Sequence, residues 1–198
     1  MSQFWNERFS KSEYVYGKEP NEFLKQEIEN LTPGKILFLC EAEGRNAVYA
    51  ATLGWIAEAI DFSEEGKRKA ELLATEKKVS INYKIADLQE HQLPIDNYDA
   101  VALIYSHLHE DFRSSVFEQA VKSLKQNGRI ILELYDQDQV NFNSGGPREK
   151  EMLYSLESAV NDFIILEFEK LSKDIIDLNE SPVHKGPASV IRFVGIKK

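Results

Sequence analysis

The chain alternates short apolar runs with longer amphipathic stretches. Ile36-Leu37-Phe38-Leu39-Cys40 is an unbroken apolar run of strand length, the pattern of a strand covered on both faces. Arg45 to Leu53 then sets Ala47, Val48, Ala50, Ala51 and Leu53 at helical positions, with Gly54 as a stop. Trp55 to Ile60 is a second apolar run and ends in Asp61. Ser63 followed by Glu64 and Glu65 is a helix start, and the pattern predicts a helix over Glu64 to about Lys77. Val79 to Ile85 reads as a third strand that closes at Ala86-Asp87-Leu88. Tyr98 to Tyr105 reads as a fourth, followed by a helix over Asp111 to Leu124. Asn127-Gly128 turns into a strand over Arg129 to Tyr135.

The last third is less regular. Asp136 to Pro147 is polar and loop-like, and a helix is predicted over Met152 to Val160. Phe163 to Leu171 and Ser189 to Ile196 read as strands separated by a loop, Asn179 to Pro187. At the front, a short helix over Ser2 to Phe9 precedes a loop, and Pro20-Asn21 opens a second helix with Phe23, Leu24 and Ile28 on one face. Strand–helix alternation of this kind predicts an α/β fold, a doubly wound and mostly parallel sheet with helices on both faces. The two late strands predict an antiparallel hairpin at one edge.

Composition sharpens this only modestly. At 198 residues, with 42% hydrophobic and 29% charged, one self-sufficient domain is expected, with residues 1–30 as a helical cap or lid. Net charge is −9, which argues against gripping a nucleic-acid backbone. The single cysteine, Cys40, lies in an apolar run and fits a reducing compartment. The polar, acid-containing start does not resemble a signal peptide, and no apolar run reaches the roughly 18 residues that span a bilayer. A cytoplasmic protein with no membrane partner is expected.

Candidate chemistry concentrates at the first strand–helix turn, Glu41-Ala42-Glu43-Gly44. Ligands of open α/β sheets bind at the carboxyl ends of the strands, beside this turn. Asp61, at the tip of the second strand, can accept both hydroxyls of a ribose. A dinucleotide site needs several glycines so that backbone amides reach a pyrophosphate, and only Gly44 is present. Glu41 and Glu43 would repel a pyrophosphate but tolerate a ligand bearing an amine and a sulfonium. That contrast favours S-adenosylmethionine over a nicotinamide cofactor.

Four blocks together resemble class I S-adenosylmethionine-dependent methyltransferases, most closely the tellurite-resistance and thiopurine methyltransferase-like branch. They are Phe4-Trp5-Asn6-Glu7-Arg8-Phe9 with Tyr14 to Asn21; Glu43 to Ala47 with Leu53-Gly54-Trp55; Asp61 to Gly66; and His184-Lys185-Gly186 with Ala188 to Gly195. The resemblance covers nearly the whole chain. It implies a seven-stranded Rossmann-like sheet whose last strand is antiparallel. It also implies methyl transfer to a small nucleophilic acceptor, a thiol or a chalcogen oxyanion. Three positions depart from the family's acid and glycine pattern: Phe38, Cys40 and Ala42. Such changes would cost about 1–3 kcal/mol of cofactor binding if uncompensated. A non-catalytic cofactor- or nucleotide-binding module on the same fold is the alternative.

The resemblance also implies roles. Asp61 takes the ribose and Phe62 packs on the adenine, beside Ser63. Asp87 takes the adenine amino group, with a backbone amide from Leu88. Glu41, Ala42, Gly44 and Asn46 line the loop, and Tyr105 follows the fourth strand, where methyl donor and acceptor meet. The start of the helix at Arg45 offers amides to the cofactor carboxylate. Tyr16 and Trp5 are lid candidates, and Arg148 and His184 are candidates for the acceptor pocket. His107 and His109 are the titrating groups nearest the expected chemistry and are candidate general bases. With Glu110 and Asp111 they could mimic a metal site, but a solvated loop is expected and no metal.

Overall fold

The structure, a computed structural model, describes residues 2–198; Met1 of the expected cap lies outside the described residues. Strands β1 (Lys35–Leu39), β2 (Ile56–Asp61), β3 (Asn82–Ile85), β4 (Tyr98–Ile104), β5 (Leu124–Tyr135), β6 (Glu167–Ser181) and β7 (His184–Ile196) form one seven-stranded sheet in the order β3-β2-β1-β4-β5-β7-β6. β1 is parallel to both β2 and β4, and β7 runs antiparallel to both β5 and β6. The sheet is doubly wound and mostly parallel, and its last strand in the chain is antiparallel, as expected. Helices α1 (Ser2–Phe9), α2 (Glu22–Glu29), α3 (Arg45–Thr52), α4 (Glu64–Lys77), α5 (Glu110–Ser123) and α6 (Leu156–Phe163) surround the sheet.

The apolar strands make two cores because consecutive side chains point to opposite faces. Ile36, Phe38, Ala57, Ala59, Ala100 and Ala102 pack under α2 and α3, against Phe23, Leu24, Ile28, Ala47 and Ala50. Leu37, Leu39, Val101, Leu103, Ile130 and Leu132 face the other way, against Val116, Phe117 and Val121 of α5 and Phe163 of α6. From β1 the chain winds outward through β2 and β3, then returns to β4 on the other side of β1. The connections after β1 and β4 therefore diverge and open a crevice at the strands' carboxyl ends.

Local signals placed most elements to within a residue or two. Ser63 caps α4, its Oγ accepting from the Gly66 amide at 3.1 Å, and Asn21 caps α2 by accepting from Leu24 at 2.9 Å. Five differences have physical causes. The expected helix from Met152 instead starts at Leu156, because the Ser155 hydroxyl caps it through the Ser158 amide; a 3-10 turn, Lys150–Met152, precedes it. The expected loop over 179–187 is mostly strand, since β6 and β7 form a long hairpin that closes at Pro182-Val183. β6 starts only at Glu167 because Phe163 ends α6, and its edge position exposes polar side chains that read as loop. Asn127, at φ 66°, is an irregularity inside β5, and its amide donates to the Lys197 carbonyl at 2.6 Å. β3 begins three residues late, because Lys78 turns left-handed to end α4 and the Val79 amide bonds back to Ala74.

Candidate active site

A cavity of about 1210 Å³ sits over the crevice, large enough for a nucleoside cofactor and a small second molecule. Its floor is the loop after β1 together with the ends of β2, β4 and β5. Its walls are α1 with Tyr16 and Gly17, and the hairpin tip at Val183 and His184.

The loop keeps the backbone of a glycine-rich turn without the glycines. Cys40, Ala42 and Gly44 take φ of 58°, 55° and 86°. For Cys40 and Ala42 this left-handed conformation costs about 1 kcal/mol or more each. Three carboxylates hold it. Glu41 Oε1 accepts from the Asn46 and Ala47 amides, both at 2.8 Å, and so caps α3. Asp61 Oδ2 accepts from the Ala42 amide at 3.0 Å. Glu43 pairs with buried Lys69 at 2.7 Å and accepts from the Val15 amide at 2.8 Å, which fastens the N-terminal segment to the loop. Phe38 takes no part in the loop, being buried in the core under α2 and α3.

This corrects the charge argument made from the sequence. Glu43 presents no net charge to a ligand because Lys69 neutralises it. Burial pushes the Glu41 carboxyl up to about 7, against the pull of its two amide donors. The amides at the start of α3, expected to receive the cofactor carboxylate, are already taken by Glu41. Gly44 does not line the cavity; a Cβ there would lie 2.3 Å from the Ala70 Cβ, so glycine is required where α3 and α4 meet. Ser63 is likewise off the lining. It caps α4 and donates to Asn6 Oδ1 at 2.7 Å, latching α1 in place.

The other nucleoside-side candidates are brought together. Glu41, Ala42, Asn46, Asp61, Phe62, Asp87 and Leu88 all line the cavity. Asp61 is buried, and burial raises its carboxyl above the usual range. Its two oxygens accept from Ala42 and Ser63, which leaves about two of roughly four lone-pair sites for a ligand. Asp87 is exposed at the rim, with Oδ1 accepting from the Gln89 amide at 2.9 Å.

The far end of the cavity is built of rings. Tyr105 stacks on Tyr135 with centroids 4.6 Å apart, and His184 lies 4.9 Å from Tyr105 and 4.8 Å from Tyr16. Tyr105 (φ 52°) donates its hydroxyl to fully buried Glu133 at 2.8 Å. Glu133 also accepts from Asn21 Nδ2 and, at 2.7 Å, from Arg192. Glu180 is paired with Arg45 at 2.8 Å; burial alone would raise it, but His184 and Arg45 hold it down to about 2. Burial lowers His184 in turn.

The two candidate histidines differ. His107 Nδ1 lies 3.1 Å from the Met152 carbonyl, which can only accept, so Nδ1 carries the proton. Its Nε2 is a buried lone pair with no partner, and burial pushes the ring down to about 4. His109 is half-exposed at the rim and caps α5, accepting from the Asp111 amide at 3.3 Å. Arg148 is exposed, binds the Phe142 carbonyl at 2.9 Å and does not line the cavity. Trp5 and Tyr16 do line it. Sequence reasoning passed over Arg8, Tyr135 and Met152. Arg8 stood inside a quoted block and Tyr135 at a strand end, while Met152 acts only through its carbonyl. Among the described residues there is no cluster of three or more metal-ligating side chains.

Residues 40–132 match the family model described as a methyltransferase domain. No curated protein matches the chain. Among solved structures, TehB from Haemophilus influenzae superposes with a TM-score of 0.75 at 13% identity, covering 100% of this chain and 67% of TehB. A protein of echinomycin biosynthesis, described as converting a disulfide bond into a thioacetal group, superposes at 0.79 with 11% identity, covering 100% and 92%. A protein from Methanosarcina mazei described as a SAM-dependent methyltransferase gives 0.69 at 12% identity, covering 90% and 98%. The match to a methyltransferase domain covers residues 40–132, and the fold is that of class I methyltransferases. They imply S-adenosylmethionine as cofactor, and the site fits it: the retained loop conformation, the free lone pairs of Asp61 and the cavity volume all accommodate a nucleoside with an amino-acid tail.

Proposed function

We propose that the protein transfers a methyl group from S-adenosylmethionine to a small, soft nucleophile, a thiol in preference to a chalcogen oxyanion. One observation carries the reading. The left-handed turn at residues 40, 42 and 44 opens onto a cavity at the switch point of the sheet, with Asp61 at its edge. Asp61 would hold the ribose, Phe62 and Leu88 the adenine, and Asp87 its amino group, while the backbone of 41–43 lies along the amino-acid part. The cofactor supplies an already activated methyl group. The protein therefore has to position the acceptor and remove its proton.

The ring-lined end suits that task. It is apolar and polarisable, and its acids, Glu133 and Glu180, are committed to Arg192 and Arg45. The rings themselves present apolar, polarisable faces, which fit a neutral thiol better than an oxyanion. His107 Nε2 would accept the S–H hydrogen bond. A base near 4 cannot ionise a free thiol of pKa about 8.5. It can take the proton as sulfur becomes positively charged during methyl transfer.

Calorimetric titration with S-adenosylmethionine, S-adenosylhomocysteine, NADH and ATP tests the cofactor, followed by turnover with a thiol panel. Binding of the first two alone is expected, and Asp61→Ala should weaken it. His107→Ala should lower turnover by about 10²-fold and leave cofactor affinity unchanged. Cofactor binding without turnover on any acceptor would favour the binding-module reading. Unchanged affinity in Asp61→Ala would displace the ribose from this site.

A further inference from the structure

Two acids stand behind the ring-lined end of the cavity: Glu133 of β5, fully buried, and Glu180 of β6, its side chain 11% exposed. Each is matched by an arginine, Glu133 by Arg192 at 2.7 Å and Glu180 by Arg45 at 2.8 Å. Each also meets a ring of the cavity. The Tyr105 hydroxyl donates to Glu133 at 2.8 Å, and His184 Nδ1 faces Glu180 at 3.5 Å.

Asn21 joins the two acids. It is buried, and its Nδ2 donates to Glu133 Oε1 at 2.6 Å and to Glu180 Oε1 at 2.9 Å. Its Oδ1 accepts from the Leu24 amide as the cap of α2, so the nitrogen must be the atom that faces the acids. Its own backbone amide donates to Asn46 Oδ1 at 2.9 Å, which ties the residue to α3. Two carboxylates this close to one group repel each other, and the two N–H donors offset that repulsion. Tyr105 shows what the arrangement holds. Its φ of 52° is one that a tyrosine adopts only when its surroundings impose it. Its hydroxyl bonds the Glu133 carboxylate and its amide the Glu133 carbonyl, both at 2.8 Å.

We propose that Asn21 is a positioning residue for the acceptor, a role that rests on the methyl-transfer reading. By joining Glu133 to Glu180 it fixes the Tyr105 and His184 rings, and with them the shape of the acceptor end. Asn21 does not itself line the cavity and acts through the two acids. The residue that starts α2 thereby links the N-terminal segment to the rings.

Turnover of a thiol and calorimetry with S-adenosylhomocysteine test this in Asn21→Asp. Aspartate caps a helix as asparagine does, so the start of α2 is kept. It replaces the two donors with a third carboxylate, facing Glu133, Glu180, Arg45, Arg192, Tyr105 and His184. Ionised, it repels both acids; once the cluster takes up a proton, a donor returns. At about pH 8, kcat/KM for the thiol should fall about 10- to 100-fold relative to wild type, chiefly through KM, while cofactor affinity changes by less than about threefold. The loss should shrink towards about pH 6. Asn21→Ser keeps a capping oxygen, adds no charge and is too short to reach the acids. It should show a loss that does not vary with pH, and it carries the test if the aspartate variant does not fold. Wild-type kcat/KM in the variants would overturn the inference. A matching loss of cofactor affinity, or a loss in Asn21→Asp that is the same at both pH values, would make Asn21 a structural residue of α2 and overturn it too. Should wild type turn over no thiol, the methyl-transfer reading falls and the inference with it.

Discussion

The two ends of the cavity treat their polar groups in opposite ways. At the loop after β1, each carboxylate is consumed by the protein: Glu41 by α3 amides, Glu43 by Lys69 and Asp61 in part by Ala42. At the ring-lined end and the adjoining wall, His107 Nε2 and Arg8 Nε are buried and unmatched. The first end spends its charges on holding a strained backbone in shape. The second leaves single polar atoms waiting in a desolvated, aromatic setting. A nucleoside is recognised largely by shape and backbone, so the loop must be rigid before the ligand arrives. Under the proposed function, the acceptor would meet His107 Nε2, the atom left unsatisfied at that end.

Breaking the strut that ties the loop to α4 should have the largest effect. Lys69→Met leaves Glu43 buried and uncompensated, and about 3–5 kcal/mol of stability should be lost in urea unfolding. Adding Glu43→Gln should restore a large part of it. If the single and double variants are equally unstable, the pair is not what braces the loop.

A pH test comes next. Burial holds Glu41 near 7 in the folded protein against 4.5 as its ordinary value. The stability tied to its protonated form is complete below about pH 4.5 and is lost as pH rises through 7, at a cost of up to about 3 kcal/mol. Glu41→Gln keeps an acceptor for the α3 amides and has no proton to lose. Its melting temperature should therefore fall less than that of wild type between pH 5 and 8. Parallel curves would show that Glu41 is ionised throughout.

The smallest expected change sharpens the comparison from the other side. Ala42→Gly removes a Cβ from a left-handed position and should stabilise the fold by about 1 kcal/mol, read as a raised melting temperature. A loss of stability instead would mean that the αL backbone at 42 carries no strain.

Much of the fold was legible because local rules and tertiary demands agree. Ser63 with Glu64 and Glu65 marks the start of α4, and the five-residue apolar run at Ile36 can only be a strand buried on both faces. Asp61 was legible for the same reason, since a strand tip beside the first βα turn has one position in such a sheet. The β6–β7 hairpin was hidden because its edge strand is polar on exposed positions, although β7 pairs with it along nearly its whole length.

The sequence alone determined the order of most strands and helices and which acids stand near the ligand end. Hydrophobic period, caps and steric freedom act within a few residues and are written along the chain. Tertiary structure decided what those acids do. Glu43 meets Lys69 across 26 positions and Arg45 meets Glu180 across 135, so the charges that look free in the sequence are cancelled by partners no local pattern could announce. His107 Nε2, left without a partner beside the cavity, becomes visible only by subtraction, after folding has paired its neighbours.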